Sequence, residues 1–581
     1  MNPFLILLVG MVVVIGGILA FRLHAFLALI LAAMAVGLLT SADAVTWYAR
    51  RQAAGEVVAP KRGEANAQDD SKVRFTVKTP SRKSLHVEPG TPMLVFRRDA
   101  AGDDKAHARL VVESTEKMTL GGKPETVAVA TLADAAKFAD IQPAAIQPGD
   151  RVIVPAAWAA AKKTAGQTAI ERVADGFGGT AAKIGILIAM AAIIGKCLLE
   201  SGAADRIIRT FLGWVGEARA SIAFLFSGFS LGIPVFFDTV FYLMIPLGKA
   251  LRMRTGHNYL LYILTITAGA TMAHSLVPPT PGPLLVASEL DVNIGVMILG
   301  GCFVGAFCSV FGYFYAVWIN RRMEIPLRDS PDAPLAELEK MAACDESELP
   351  PFWLSMLPIA LPVVLIAGGT VLDRDTSGID LGDSLGGAIT FLSNKNIALI
   401  VSAAIALLTL AWKKQASRDD LAAGVAAALA SGGVIILITS AGGAFGGMLK
   451  QTGVGHAIAG LTPKAYPLLV LPVAFGVTTL VRTAQGSATV AMITAVGILA
   501  PLAMEMNLGQ HYHIVYLALA IGCGSKPISW MNDSGFWVIC KMSGMTEGET
   551  LKALTPMTAS MGVVGLIVTM LCAWLVPLVG V

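Results

Sequence analysis

Apolar runs about as long as a bilayer span dominate this chain, and they leave a bundle of membrane helices as its main option. They occupy residues 4–20, 26–39, 184–199, 221–251, 260–287 and 294–319, then 352–371, 397–412, 433–449, 466–504, 514–540 and 561–577. Crossing the hydrocarbon takes about 20 apolar residues as a helix. Inside it, every backbone N–H and C=O has to be satisfied by the protein, which rules out an open sheet. Composition agrees: 55% of the 581 residues are hydrophobic and 15% are charged, against about 25% charged in a soluble protein. The 59 glycines suit helices that approach closely or break. A net charge of +3 gives no reason to expect a nucleic-acid partner. The seven cysteines lie mostly in apolar runs, show no CxxC or metal spacing, and read as packing residues. The N-terminal run lacks a basic leader and a cleavage site, so it reads as a retained span.

The runs fall into two sets, and local matches relate them. GKCLLESGAADRI (195–207) aligns with GGMLKQTGVGHAI (446–458), pairing Gly195 with Gly446 and Gly202 with Gly453. Gly269 and Gly282 flank a proline-rich break at the same spacing as Gly522 and Gly535 around a second one. The fourth run of each set is too long for one crossing and has a polar or glycine-bearing middle, which predicts a re-entrant hairpin. The fold class expected is an all-α polytopic membrane protein with an inverted repeat. Each half has five transmembrane helices plus one re-entrant hairpin, and an odd number of crossings inverts the second half. Inverted repeats with discontinuous helices at the midplane are characteristic of secondary transporters. Positive charge tests the topology. With the N-terminus outside, Arg22, Arg206, Arg209, Arg219, Lys249, Arg252, Arg254, Arg321, Arg322, Lys413, Lys414, Arg418, Lys541 and Lys552 fall in cytoplasmic loops. The short outer loops hold mainly Arg374, Lys395, Lys450 and Lys464. That asymmetry favours both termini outside.

The domain organisation expected is two helices in 1–45, an inserted extracytoplasmic β-rich domain in 46–175, the rest of the first repeat in 176–320, a cytoplasmic linker in 321–350 and the second repeat in 351–581. Within the insert, alternating runs at 73–78, 93–97, 108–113, 126–131 and 151–155 are separated by turn signals and predict strands. Residues 52–70 read as a flexible linker.

Four motifs carry chemistry. In GIPVFFD (232–238), Gly232 and Pro234 break the helix before Asp238. A carboxylate at membrane depth costs roughly 2.5–3.5 kcal/mol to insert, so Asp238 faces a cavity as a proton carrier or caps the second hairpin helix. In AGATMAHSLVPPTPGP (268–283), the prolines free backbone groups at membrane depth. Those groups, with Ser275, Thr280 and Gly282, suit a hydroxylated anion. His274 there is a proton-carrier candidate or simply bonds a neighbouring carbonyl. In VRTAQGSATVAMITA (481–495), Arg482 has the planar fork that matches a carboxylate, unless it snorkels to an interface. Thr483, Gln485, Gly486, Ser487 and Thr489 surround it with donors and acceptors. In GCGSKPISWMNDSGFW (522–537), Asn532 and Ser534 offer polar groups at the gap. Asp533 binds a proton or cation, or caps the next helix. Glu200 reads as interfacial. The chain shows no nucleophile–base pair and no metal-ligand set, so an enzyme is not expected, and neither is a cofactor.

Taken together, FRLHAFLALILAAMAVGLL, GIPVFFD, HSLVPPTPGP, RTAQGSATVAMITAVGILAPL and NDSGFW, in this order, resemble the gluconate:proton symporters of the GntP type. The likeness covers nearly the whole chain except the insert. It implies proton-driven uptake of gluconate or a related sugar acid through a bacterial inner membrane. It also implies an architecture similar to the wider ion-transporter superfamily, often as a homodimer. The chain departs from the family pattern in its insert, in PISWMNDSGFW where a VNDxGFW stretch is expected, and in the threonine of HSLVPPTPGP. A sodium-coupled carboxylate carrier of the same fold is the alternative, and a sensor using the outer domain is a more distant one.

Overall fold

The computed structural model describes the chain apart from residues 1, 58–71, 77–86, 99–103, 121–122, 133–145, 147–149, 329–348, 373–382, 416, 455–456, 458–466, 507, 532 and 579–581. It opens with α1 (Pro3–Leu19) and α2 (Ala25–Leu39), followed by the short α3 (Ala42–Gln52) after a 101° bend. Next come six strands: β1 (Gly55–Glu56), β2 (Lys72–Thr76), β3 (Pro92–Arg98), β4 (Asp104–Leu120), β5 (Lys123–Leu132) and β6 (Arg151–Ile153). They form one antiparallel sheet in the order β1-β6-β3-β4-β5-β2. Strands occur at each of the alternating runs, with β4 extended well beyond 108–113. The inward residues Val73, Phe75, Met93, Val95, Leu110 and Val112 make a core of their own. The sheet meets the helices through α4 (Pro155–Gly166): Trp158 packs edge-on against Phe96 at 5.1 Å and lies under the Arg50 guanidinium of α3 at 3.4 Å.

Long helices then dominate. α5 (Ala169–Glu200) starts at a capping box between Thr168 and Glu171, so the polar-to-apolar change at 175–176 falls inside a helix. Its buried Arg172 bonds the Gln451 side chain at 2.6 Å and the Gly37 carbonyl at 2.9 Å. The amphipathic α6 (Ala203–Val215) leads into α7 (Ala220–Gly232) and α8 (Phe237–Thr255). α9 (Tyr259–Leu276) and α10 (Pro281–Glu289) are separated by the proline-rich segment, and α11 (Ile294–Asn320) follows. Beyond the linker come α12 (Phe352–Val371), α13 (Asp383–Leu392), α14 (Lys395–Lys414) and α15 (Arg418–Gln451). The chain closes with α16 (Val470–Gln485), α17 (Ala488–Glu505), α18 (Val515–Gly524), α19 (Ser534–Ser543) and α20 (Glu547–Leu575). Among the described residues, eight helices are long and apolar enough to cross a membrane, or nine if α2 and α3 make one span. Large apolar side chains point outward along α11 (Phe303, Phe307, Phe314) and α20 (Val563, Ile567, Leu571). Such stripes would be unstable in water and are matched by lipid. The chain is a polytopic membrane protein.

Glycines set how the hairpins dock. α7 runs alongside α9 with Gly228 against the Ile266 carbonyl and Gly232 against the Ala270 carbonyl, where a Cβ would sit 2.9 and 2.8 Å from the oxygens. α8 returns along α9, with Gly248 beside Tyr262. The turn at 233–236 therefore lies level with the end of α9. α16 lies along α18 in the same manner: a Cβ at Gly524 would come 2.6 Å from the Phe475 carbonyl, and Thr479 Oγ1 bonds the Gly524 carbonyl at 3.1 Å. The two broken helices touch at their breaks, where Gly522 abuts the Ser275 carbonyl. At the far end of α10, partly buried Lys450 of α15 is paired with Glu289 at 2.5 Å.

Replacing Gly228 by valine is expected to force α7 off α9 at a cost of about 1–3 kcal/mol. Thermal unfolding of the purified protein in detergent should show a clear fall in Tm, whereas Gly213→Ala, which has open space around it, should not. Equal melting of the two variants would show that the close approach does not hold the hairpin.

Candidate functional site

Four interruptions in regular helix converge in the bundle: the turn between α7 and α8, the gap between α9 and α10, the Gly486–Ser487 turn between α16 and α17, and the gap between α18 and α19. Each frees backbone groups that a continuous helix would bond internally. Gly486 adopts φ +80° to end α16, a left-handed conformation suited to glycine.

Arg482 is the most engaged side chain in this region. It is 4% exposed, and each guanidinium nitrogen that bonds does so within the protein. Nε donates to the Ser525 carbonyl at 3.1 Å, Nη1 to the Gly486 carbonyl and Nη2 to the Asp533 carboxylate. With five N–H groups on a guanidinium, two remain for other partners. Its position against the second break places it inside the bundle and not at an interface. Asp533 caps α19 by accepting from the Gly535 amide at 2.9 Å, and also accepts from Arg482 and Ser529 Oγ. Its capping and charge-pairing roles therefore coexist. Thr555 Oγ1 holds the Ser529 carbonyl from α20.

Lys526, for which the sequence reading assigned no role, crosses from the second break to the first. Its buried Nζ donates to the Thr271 carbonyl and to Thr271 Oγ1, both at 3.0 Å. It lies within electrostatic reach of Arg482, Asp533 and His274. A lysine between a glycine-rich helix and a proline, inside an apolar run, was the available signal. His274 sits 6.1 Å, ring to ring, from Phe236 at the first hairpin turn, and its buried Nδ1 has no hydrogen-bond partner among the described residues. Asp238 lies in the first turn of α8, whose N-cap has no side-chain hydrogen bond. Its carboxylate is close enough to Asp533 to interact with it. The structure thus brings together Asp238, His274, Arg482, Lys526 and Asp533.

The hydroxyls and amides divide. Ser275 Oγ and both amide atoms of Gln485 are buried and have no hydrogen-bond partner among the described residues. Desolvated polar atoms of this kind cost about 1–3 kcal/mol each unless something bonds them. Thr280 Oγ1 donates to the Val277 carbonyl at 2.6 Å, Thr483 Oγ1 to the Thr479 carbonyl at 2.8 Å, and Ser487 Oγ accepts from the Val490 amide at 3.3 Å. Gly282 packs on Met492 and on the Thr489 backbone, joining the first break to the second hairpin. Ser534 is exposed at the start of α19. Asn532 lies outside the described residues. Glu200 pairs with Lys196 at 2.9 Å, one turn back on α5.

Comparison with known proteins adds to this geometry. The family described as "GntP family permease" matches residues 152–575, a stretch that begins within β6 and leaves β1–β5 outside it. The "Low-affinity gluconate transporter" of Escherichia coli K12 is 32% identical over 398 residues, covering 68% of this chain and 86% of that one. The "Gluconate permease" of Pseudomonas aeruginosa is 32% identical over 402 residues, covering 68% and 86%. The "Gnt-II system L-idonate transporter" of Escherichia coli K12 is 28% identical over 420 residues, covering 72% and 91%. Among solved structures, Neisseria gonorrhoeae MtrF, described in a class of antimetabolite efflux pumps, superposes with a TM-score of 0.52 at 16% identity. It covers 70% of this chain and 83% of that one, a likeness of fold alone.

Removing one partner of a buried pair strands the other charge, at a cost of about 3–5 kcal/mol. Asp533→Ala and Arg482→Ala are each expected to lower the Tm of the purified protein markedly. The double variant should be less damaged than the sum, by about 0.5–3 kcal/mol. Strict additivity would mean that the two side chains do not depend on each other.

Proposed function

The chain belongs to the GntP family of permeases, and on that premise we propose that it imports gluconate or a similar small sugar acid by proton symport across a bacterial inner membrane. The observation that carries this reading is the meeting of both hairpin turns and both helix breaks around one buried set of charges. The transport of gluconate named for its relatives supports the substrate class.

Charge balance supports the coupling. Arg482 and Lys526 are formally offset by Asp533 and Asp238. A monovalent sugar acid adds one negative charge to a site where uncompensated charge is costly. One proton taken up with it, on Asp238 or His274, restores neutrality. Substrate and proton then enter together, because either alone leaves a buried net charge. The substrate carboxylate sits between the two free N–H groups of Arg482 and the freed amides of the breaks. The unpartnered Ser275 and Gln485 supply hydrogen bonds to its hydroxyls, with Thr280, Gly282, Thr483, Gly486, Ser487, Thr489, Asn532 and Ser534 around them. Asp533, already held by three donors, orients Arg482 and is the least free of the three acidic or basic proton-carrier candidates. Co-transport of one proton with one monovalent anion is electroneutral, so the membrane potential, worth about 2.3 kcal/mol per charge per 100 mV, contributes nothing.

The architecture fits inverted halves. α5, the α7–α8 hairpin, the broken α9–α10 and α11 correspond to α15, the α16–α17 hairpin, the broken α18–α19 and α20. With both termini outside, the sheet stands on the outer face.

Labelled gluconate should accumulate in proteoliposomes under an inward proton gradient without sodium, and a protonophore should collapse the accumulation. Asp238→Asn should abolish accumulation while leaving the protein folded. Accumulation retained in that variant would remove Asp238 from the coupling, and accumulation that requires sodium would replace the proton as the coupling ion.

A further inference from the structure

A second feature borders the first helix break, where Pro278 and Pro279 line a crevice together with Lys395. Lys183 of α5 and Lys395, the first residue of α14, are near enough to interact electrostatically. Neither has an ion-pair or hydrogen-bond partner among the described residues. Two cations within reach of each other repel, and an anion between them relieves the repulsion. Each stands just before the apolar part of its helix (184–199 and 397–412), where a lysine suits the boundary between hydrocarbon and headgroups.

One turn further along each helix, at the i+4 position that shares a face, stand Leu187 and Leu399. These two line an open crevice whose other walls include Pro278, Pro279, Ile298 and Pro362. Apart from Lys395 at its mouth, the crevice is lined by apolar side chains and proline rings. A polyhydroxylated anion finds no partners for its hydroxyls in such a lining, whereas a hydrocarbon chain does. A cationic pair beside an apolar crevice suits one molecule with both characters. We propose that Lys183 and Lys395 hold the phosphate headgroup of an anionic phospholipid whose acyl chain lies in the crevice. The chain would rest on the back of the Pro278–Pro279 segment, so the first break is contacted by lipid on one side and by the site on the other. This assignment is independent of the transported substrate.

Binding of short-chain phosphatidylglycerol and phosphatidylcholine to the full chain in detergent, followed by native mass spectrometry, tests it. Phosphatidylglycerol should bind in preference to phosphatidylcholine. Each of Lys183→Gln and Lys395→Gln should weaken it about fivefold, and the pair about thirtyfold, with phosphatidylcholine binding unchanged. The double arginine variant, which keeps the charge, should keep the preference. Equal binding of the two lipids, or a preference that survives the double glutamine variant, would overturn the proposal. So would inorganic phosphate competing as well as the lipid, since the acyl chain would then contribute nothing.

Discussion

Burying an arginine at membrane depth obliges the rest of the bundle to answer its charge, and much of the site follows from how Arg482 is answered. Its guanidinium reaches across the end of α16 to the Ser525 carbonyl and to Asp533. The second hairpin turn is thereby tied to the second break. Asp533 in turn starts α19 through the Gly535 amide. A single ion pair thus sets the position of a hairpin turn, the direction of a half-helix and the orientation of the remaining guanidinium N–H groups. Broken helices survive in hydrocarbon only where the protein supplies the bonds the helix gave up, and here the supplier is charged.

The second constraint is contact between halves. Lys526 bonds Thr271 twice, Gly522 abuts Ser275 and Gly282 abuts Met492. Each contact joins residues more than two hundred positions apart in the chain. Small residues allow the backbones to meet, and the lysine then makes the meeting polar. The two breaks are thus joined by atoms in direct contact.

The sequence exposed the spans through the length of its apolar runs, the helix turns at 233–236 and 486–487 through runs too long for one crossing, and the breaks through proline. It concealed what depends on partners distant in sequence. Arg482 and Asp533 are separated by 51 positions with no period relating them, so both looked like independent ligands. Lys526 stood in a quoted motif, but only the fold brings Thr271 to it. The N-terminal turns of α5 were hidden because Glu171, Arg172 and Lys183 interrupt the apolar pattern. Those turns are helical because of the capping box and because Arg172 finds Gln451 and the Gly37 carbonyl. The strands were legible from alternation, yet the pairing order was not, since alternation says which face is buried and nothing about neighbours.

The way the chain enters and leaves the sheet has a consequence for how such a protein arises. β1 and β6, its first and last strands, pair directly, with Gly55 opposite Val152. The flanking helices α3 and α4 are clasped by Arg50 on Trp158. The two points of attachment are therefore neighbours, and everything between them forms a loop closed at its neck. A segment with that geometry can be acquired or discarded in one genetic step without pulling the adjoining spans apart. Changes within the sheet are thereby uncoupled from the spacing of the helices on either side of it.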